Sequence, residues 1–155
     1  MGGVTQEKLK AIEEYKLLRI NLKKFLKACE SMFEYKVGKE NDDFTIKITA
    51  KKDYPHNLKV PYTRGDIINV LERFLGGEFN EHELWHWATF IRMVDFYDCT
   101  PTRPEEEHDL VLDILDDIEE IGYYYFDRPI REYVQEKIQT LKDFKYVPDK
   151  NRGEV

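Results

Sequence analysis

The sequence predicts a mainly α-helical single domain with one small β-hairpin, on three observations. Apolar residues recur every three or four positions through most of the chain, which lines one face of a helix. A helix-starting residue stands ahead of each periodic segment: Thr5, Thr63, Asn80, Thr102 and Asp127. One stretch, FTIKITAKK, alternates instead with the period of two that marks a half-buried strand. The 155 residues suit one domain, 1–155, with a polar tail from about residue 147, and show neither repeat nor linker.

Five helices follow in order. Residues 6–34 read as one long amphipathic helix, with Ile12, Tyr15, Leu18, Leu22, Phe25, Leu26, Cys29, Met32 and Phe33 on its apolar face. Gly38 and Asn41-Asp42-Asp43 break it. The strand of Phe44, Ile46 and Ile48 comes next, and Asn57–Val60 is the candidate return strand of the hairpin after the first helix. Such a hairpin must pack on helices, because two strands alone are marginal.

Thr63 with Asp66 resembles a capping box for a helix carrying Ile67, Ile68, Val70, Leu71, Phe74 and Leu75 inward, stopped by Gly76-Gly77. Asn80 with Glu83 repeats the pattern, ahead of Leu84, Trp87, Ala88, Ile91 and Val94. After a loop at Tyr97–Arg103, a helix from Pro104 buries Leu110, Val111, Ile114, Leu115, Ile118 and Ile121, and Tyr123–Phe126 extend it or follow it. The last helix turns Ile130, Tyr133, Val134, Ile138, Leu141 and Phe144 inward.

Composition excludes several classes. Hydrophobic residues make up 41% and aromatic residues 14%, too much apolar surface for a disordered chain. Six Pro and eight Gly exclude collagen-like and low-complexity readings. No apolar run approaches the length of a membrane span, and the first residues lack a secretory signal's apolar core, so a soluble cytoplasmic protein is expected. Cys29 and Cys99 are far apart and suit free thiols in a reducing compartment.

The net charge of −7 hides a strong asymmetry. Residues 1–60 hold 13 basic and 9 acidic side chains; residues 61–128 hold 5 and 17. No Lys or Arg occurs between Pro104 and Asp127. An acidic middle of this kind repels nucleic acid, so DNA and RNA are not expected as partners. It attracts a basic protein and speeds the encounter. Asp109, Asp113, Asp116, Asp117 and Glu120 recur three or four apart, so they share one side of their helix and are the candidate partner-binding residues. A solvated face is the plainer alternative. Trp85 falls off its helix's apolar stripe. It belongs either under a neighbouring segment or at the surface as a binding anchor.

The sharpest local motif is His82-Glu83-Leu84-Trp85-His86, an H-E-x-x-H. On a helix it places two imidazoles on one face, where both can hold zinc while Glu83 activates water. A third ligand would come from Glu105, Glu106, Glu107 or His108. Against this, Asn80 as N-cap puts His82 in the first helical turn and gives Glu83 a capping task. A zinc-dependent hydrolase is therefore the alternative, and no cofactor is favoured. Glu83/His86 and Glu105/His108 also form two E-x-x-H pairs, the kernel of a di-metal centre. The further carboxylates it needs, among Glu13, Glu14, Glu30 and Glu72, are weakly placed. The Gly-rich phosphate loops and the G-x-S-x-G elbow are missing from the sequence.

The segment Asp66–Ile91, through Leu75, Gly77, Glu78, Glu83, Leu84, Trp87 and Ala88, resembles a helix–Gly–helix pattern in small orphan bacterial helical proteins. Some proteins of that look are toxin immunity proteins. The resemblance implies a non-enzymatic interaction module, an immunity-type inhibitor whose acidic surface from Glu105 to Glu120 covers the basic cleft of a toxin such as a nuclease. A regulatory or structural subunit is the third reading.

Overall fold

A computed structural model describes residues 4–40, 43–99, 105–122 and 129–144. Among them run α1 (Gln6–Lys16), α2 (Leu22–Ala28), β1 (Phe33–Glu40), β2 (Asp43–Ala50), β3 (Val60–Tyr62), α3 (Arg64–Leu75), α4 (Glu81–Met93), β4 (Tyr97–Cys99), α5 (Glu105–Glu119) and α6 (Ile130–Asp143). A 3-10 turn, Glu120–Gly122, closes α5. The mainly α class is the one the sequence predicts. No helix among the described residues is long and apolar enough to cross a membrane.

The first predicted helix is instead two helices and the start of a strand. Thr5 caps α1 as expected, accepting from the Lys8 amide at 3.2 Å. The chain then turns through Leu18, whose φ of +51° lies in the left-handed region. Asn21 restarts the helix by accepting from the Lys24 amide at 2.8 Å. Arg73 of α3 donates to the carbonyls of Leu17 and Leu18, satisfying the end of α1 from more than fifty residues away.

The hairpin is also placed differently. The partner of Phe44–Thr49 is β1, not residues 57–60: Tyr35 pairs with Ile48 and Val37 with Ile46 in an antiparallel ladder. Phe33, Tyr35, Ile46 and Ile48 lean on the core, while Lys36 and Lys47 pair on the outer face. Val60–Tyr62 instead pairs in parallel with Tyr97–Cys99, a stretch the sequence reads as loop. Parallel neighbours need a long crossover, and α3 with α4 supply it.

The core centres on α4. Every residue from Leu84 to Ile91 is buried, so this helix is enclosed on all sides rather than on one stripe. Trp87 anchors it against α1, donating from Nε1 to the Lys16 carbonyl at 2.9 Å. Tyr15 stacks on Phe25 with centroids 4.0 Å apart, and Phe90 meets both rings edge-on.

Arginines close the ends of other helices too. Arg131 donates to the Leu75 carbonyl at 2.7 Å, ending α3. Arg64 donates to the Leu141 and Phe144 carbonyls at 3.0 and 2.8 Å, ending α6. Thr63 and Asp66 form the expected capping box, and Gly76 with Gly77 ends α3, Gly77 at φ +84°. Asn80 caps α4, but Glu83 does not complete a box there. Its carboxylate accepts from the Leu22 amide at 2.9 Å and caps α2 instead. The predicted caps Thr102 and Asp127, the stretch Tyr123–Phe126 and the polar tail lie outside the described residues.

Candidate functional site

Two sites were legible in the sequence, the acidic face of α5 and the histidine pair of α4. Val111, Ile114, Leu115, Ile118 and Ile121 turn toward the core as predicted, whereas Leu110 is only partly buried. Two acids of α5 go inward with them. Glu119 is only 1% exposed; it accepts from the Thr89 hydroxyl at 2.8 Å and from the Arg92 guanidinium, with Nε at 3.0 Å. Glu107 is likewise buried and pairs with Nε of Arg64 at 3.3 Å. A buried carboxylate persists only when a cation or donor compensates it, and both have one.

The remaining acids lie outside. Asp109, Asp113 and Asp116 are exposed, at spacings of four and three that make one stripe. Asp116 lies 3.7 Å from Nε of Arg92. Asp117 turns to the flank, where Nζ of Lys137 meets it at 2.9 Å. Asp109 has His108 at 3.8 Å as a neighbour, and no cation among the described residues pairs with Asp113. Glu120 ends the series in the 3-10 turn. Partial burial and then the charges of Asp117 and Asp116 raise its carboxyl above the ordinary value, against the opposing pull of Lys137.

Trp85 is not a surface anchor. It is 8% exposed, stacks on His86 at 3.7 Å between centroids, and lies against Gly122. The absence of a side chain at Gly122 is what admits the indole: an added Cβ would overlap its ring.

His82 and His86 do come together. Their Nε2 atoms are 3.0 Å apart, one exposed ring meeting one buried ring. The Tyr35 hydroxyl meets Nδ1 of His86 at 2.5 Å from β1. Burial, then the neighbouring His82, lowers the His86 pKa to about 4, so its ring is neutral near pH 7. Burial also raises the Tyr35 hydroxyl, which stays protonated.

The other ingredients of a zinc hydrolase lie elsewhere. Glu83 caps α2, Glu107 is paired with Arg64, and His108 neighbours Asp109. Glu106 is exposed on α5, and the side chain of Glu105 lies outside the described residues. Among the described residues no three His, Cys, Asp or Glu side chains are grouped to hold a metal. The sequence reading missed Tyr35, whose signal is the alternation Phe33-Tyr35-Val37. It also missed the Thr89–Glu119–Arg92 network, which leaves no local signature. No family model matches the chain, and no curated protein or solved structure was found to be similar to it.

Proposed function

We propose that this chain is a non-enzymatic interaction module that binds a basic protein through the outer face of α5, in the manner of an immunity-type inhibitor covering a toxin's basic cleft. One observation carries the reading: Asp109, Asp113 and Asp116 form an exposed stripe on a helix without a single Lys or Arg. Among the described residues, the cations that reach α5 go chiefly to other acids. Arg64 pairs with buried Glu107, Arg92 is drawn chiefly to buried Glu119, and Lys137 meets Asp117 on the flank. The stripe therefore keeps its negative field, which steers a basic surface toward it and weakens with salt.

With Trp85 buried, charge rather than an aromatic anchor defines this surface. The test is Asp109→Lys with Asp113→Lys, two exposed positions outside the core. Immobilised wild-type protein should capture a basic partner at low salt, and that partner should bind the double variant at least about tenfold more weakly, chiefly through slower association. Unchanged affinity for the captured partner would remove the basis of the proposal.

A further inference from the structure

We propose that His82 and His86 are a two-nitrogen chelating site for one divalent transition-metal ion, Cu(II) or Ni(II) in tetragonal coordination, with water filling the remaining positions. The site is independent of the acidic face of α5. The two rings sit one turn apart on α4 and share a single hydrogen bond between Nε2 atoms at 3.0 Å. Two neutral imidazoles can meet nitrogen to nitrogen only with one proton between them. A metal ion takes the place of that bond, accepting a lone pair from each Nε2, while the proton between them passes through water to Nδ1 of the ring that carried it, so both rings stay neutral.

The spacing suits a right-angled site. With metal–nitrogen bonds of about 2.0–2.1 Å, nitrogens kept 3.0 Å apart subtend an angle of about 95° at the metal. That is close to the right angle of square-planar or octahedral coordination. Tetrahedral zinc needs about 3.3 Å, a step the exposed His82 ring can make, so the choice of ion rests on the nitrogen ligands. Cu(II) and Ni(II) favour tetragonal nitrogen sites, and Cu(II) binds most tightly of the first-row divalent ions.

The second argument is preorganisation. Nδ1 of His86 is already engaged by the Tyr35 hydroxyl, which leaves Nε2 as the ligand atom. A partner on the far nitrogen is how proteins orient metal-binding histidines. Trp85 stacks on the same ring and fixes its plane. Only the exposed His82 ring must turn and lose freedom on binding. Glu81 and Glu83, in the first turn of α4, offset the positive end of that helix, which would otherwise oppose a cation.

The experiment titrates untagged protein with CuSO4, NiSO4 and ZnSO4, reading calorimetry, tryptophan fluorescence and the Cu(II) paramagnetic resonance spectrum. One ion per chain is expected, with Cu(II) tightest. Trp85 emission should be quenched because its ring touches His86, and the spectrum should carry splitting from two nitrogens. His82→Ala leaves the core alone and should weaken Cu(II) binding at least about tenfold by removing the chelate. His56→Ala with His108→Ala should change nothing. Equal affinity in wild type and His82→Ala, or a spectrum with fewer than two nitrogens, would overturn the site. Zinc binding more tightly than Cu(II) would overturn its tetragonal assignment.

Discussion

Replacing Glu119 by alanine should cost about 3 kcal/mol of folding stability. The carboxylate is buried between α4 and α5, where it accepts from Thr89 at 2.8 Å and from two nitrogens of Arg92, Nε at 3.0 Å. Removing one partner of a buried charge pair costs about 3–5 kcal/mol, because the other charge is left uncompensated. Two features hold the cost at the low end of that range. The Arg92 side chain is 31% exposed, so water relieves it in part, and Asp116 at 3.7 Å can take over some of the pairing. The Thr89 hydroxyl can turn its single proton to the Trp85 carbonyl, 3.0 Å away.

Glu119→Gln keeps the shape and one acceptor oxygen, so it should cost about half as much, near the value of one charge-assisted hydrogen bond. The assay is urea unfolding near neutral pH of Glu119→Ala, Thr89→Ala and the double variant. The Thr89–Glu119 coupling energy should be about 1–2 kcal/mol. A loss below about 1 kcal/mol for Glu119→Ala, or a coupling within about 0.5 kcal/mol of zero, would refute the reasoning. Glu119 would then be solvated like the acids around it.

Two further outcomes are expected. Gly122→Ala places a methyl group inside the Trp85 ring and should destabilise the fold by about 1–3 kcal/mol with a changed near-ultraviolet circular dichroism signal; a silent substitution would mean the turn and the indole are not in contact. Burial pushes the Cys29 thiol up to about 12 and the Cys99 thiol, with help from Glu107 and Asp98, up to about 11. Both should therefore resist iodoacetamide at mildly alkaline pH until the chain unfolds, and rapid labelling of either in the native protein would contradict this. The unfolded thiols ionise first as pH rises, so the stability these groups contribute is complete below the ordinary thiol pKa and is lost toward pH 11 to 12.

The elements that could be read in the sequence are those whose instructions are local. Thr63 with Asp66, and Asn80, start α3 and α4 through bonds three residues long. The break between α1 and α2 was not legible, because its instruction is tertiary. Leu18 has no intrinsic preference for a left-handed backbone, and the segment contains neither Gly nor Pro. The carbonyls it leaves behind are satisfied by Arg73 of α3. An unbroken helical period from Ile12 to Phe33 therefore hid a turn and the first residue of a strand. β3 and β4, at three residues each, are too short for any alternation to register.

The candidate sites divide the same way. That α5 is acidic is plain in the sequence, and helical spacing sets Glu107 and Glu119 four residues from the core positions Val111 and Leu115; what the sequence does not show is that Arg64 and Arg92 stand opposite to compensate them. The pairing of His82 with His86 follows from helical spacing. Their orientation by Tyr35 and Trp85 does not, because it depends on where a hairpin fifty residues earlier comes to rest.

The buried acids and the exposed stripe are parts of one arrangement. A helix with eight carboxylates and no Lys or Arg invites neutralisation by its neighbours, and arginines on both α3 and α4 are within reach. If those guanidinium groups faced outward, they would cancel the stripe that gives the surface its sign. Glu119, at 1% exposure, holds Arg92 against the core, and Glu107 does the same for Arg64 at the other end of α5. Desolvation strengthens both pairs relative to any contact with an exposed Asp, where water and salt screen the attraction. Each buried carboxylate thus ties α5 to a neighbouring helix and holds an arginine that would otherwise be free to turn to the exposed acids. The packing of the acidic helix and the field of its outer face then have a common cause: two glutamates placed where the core can hold an arginine to them.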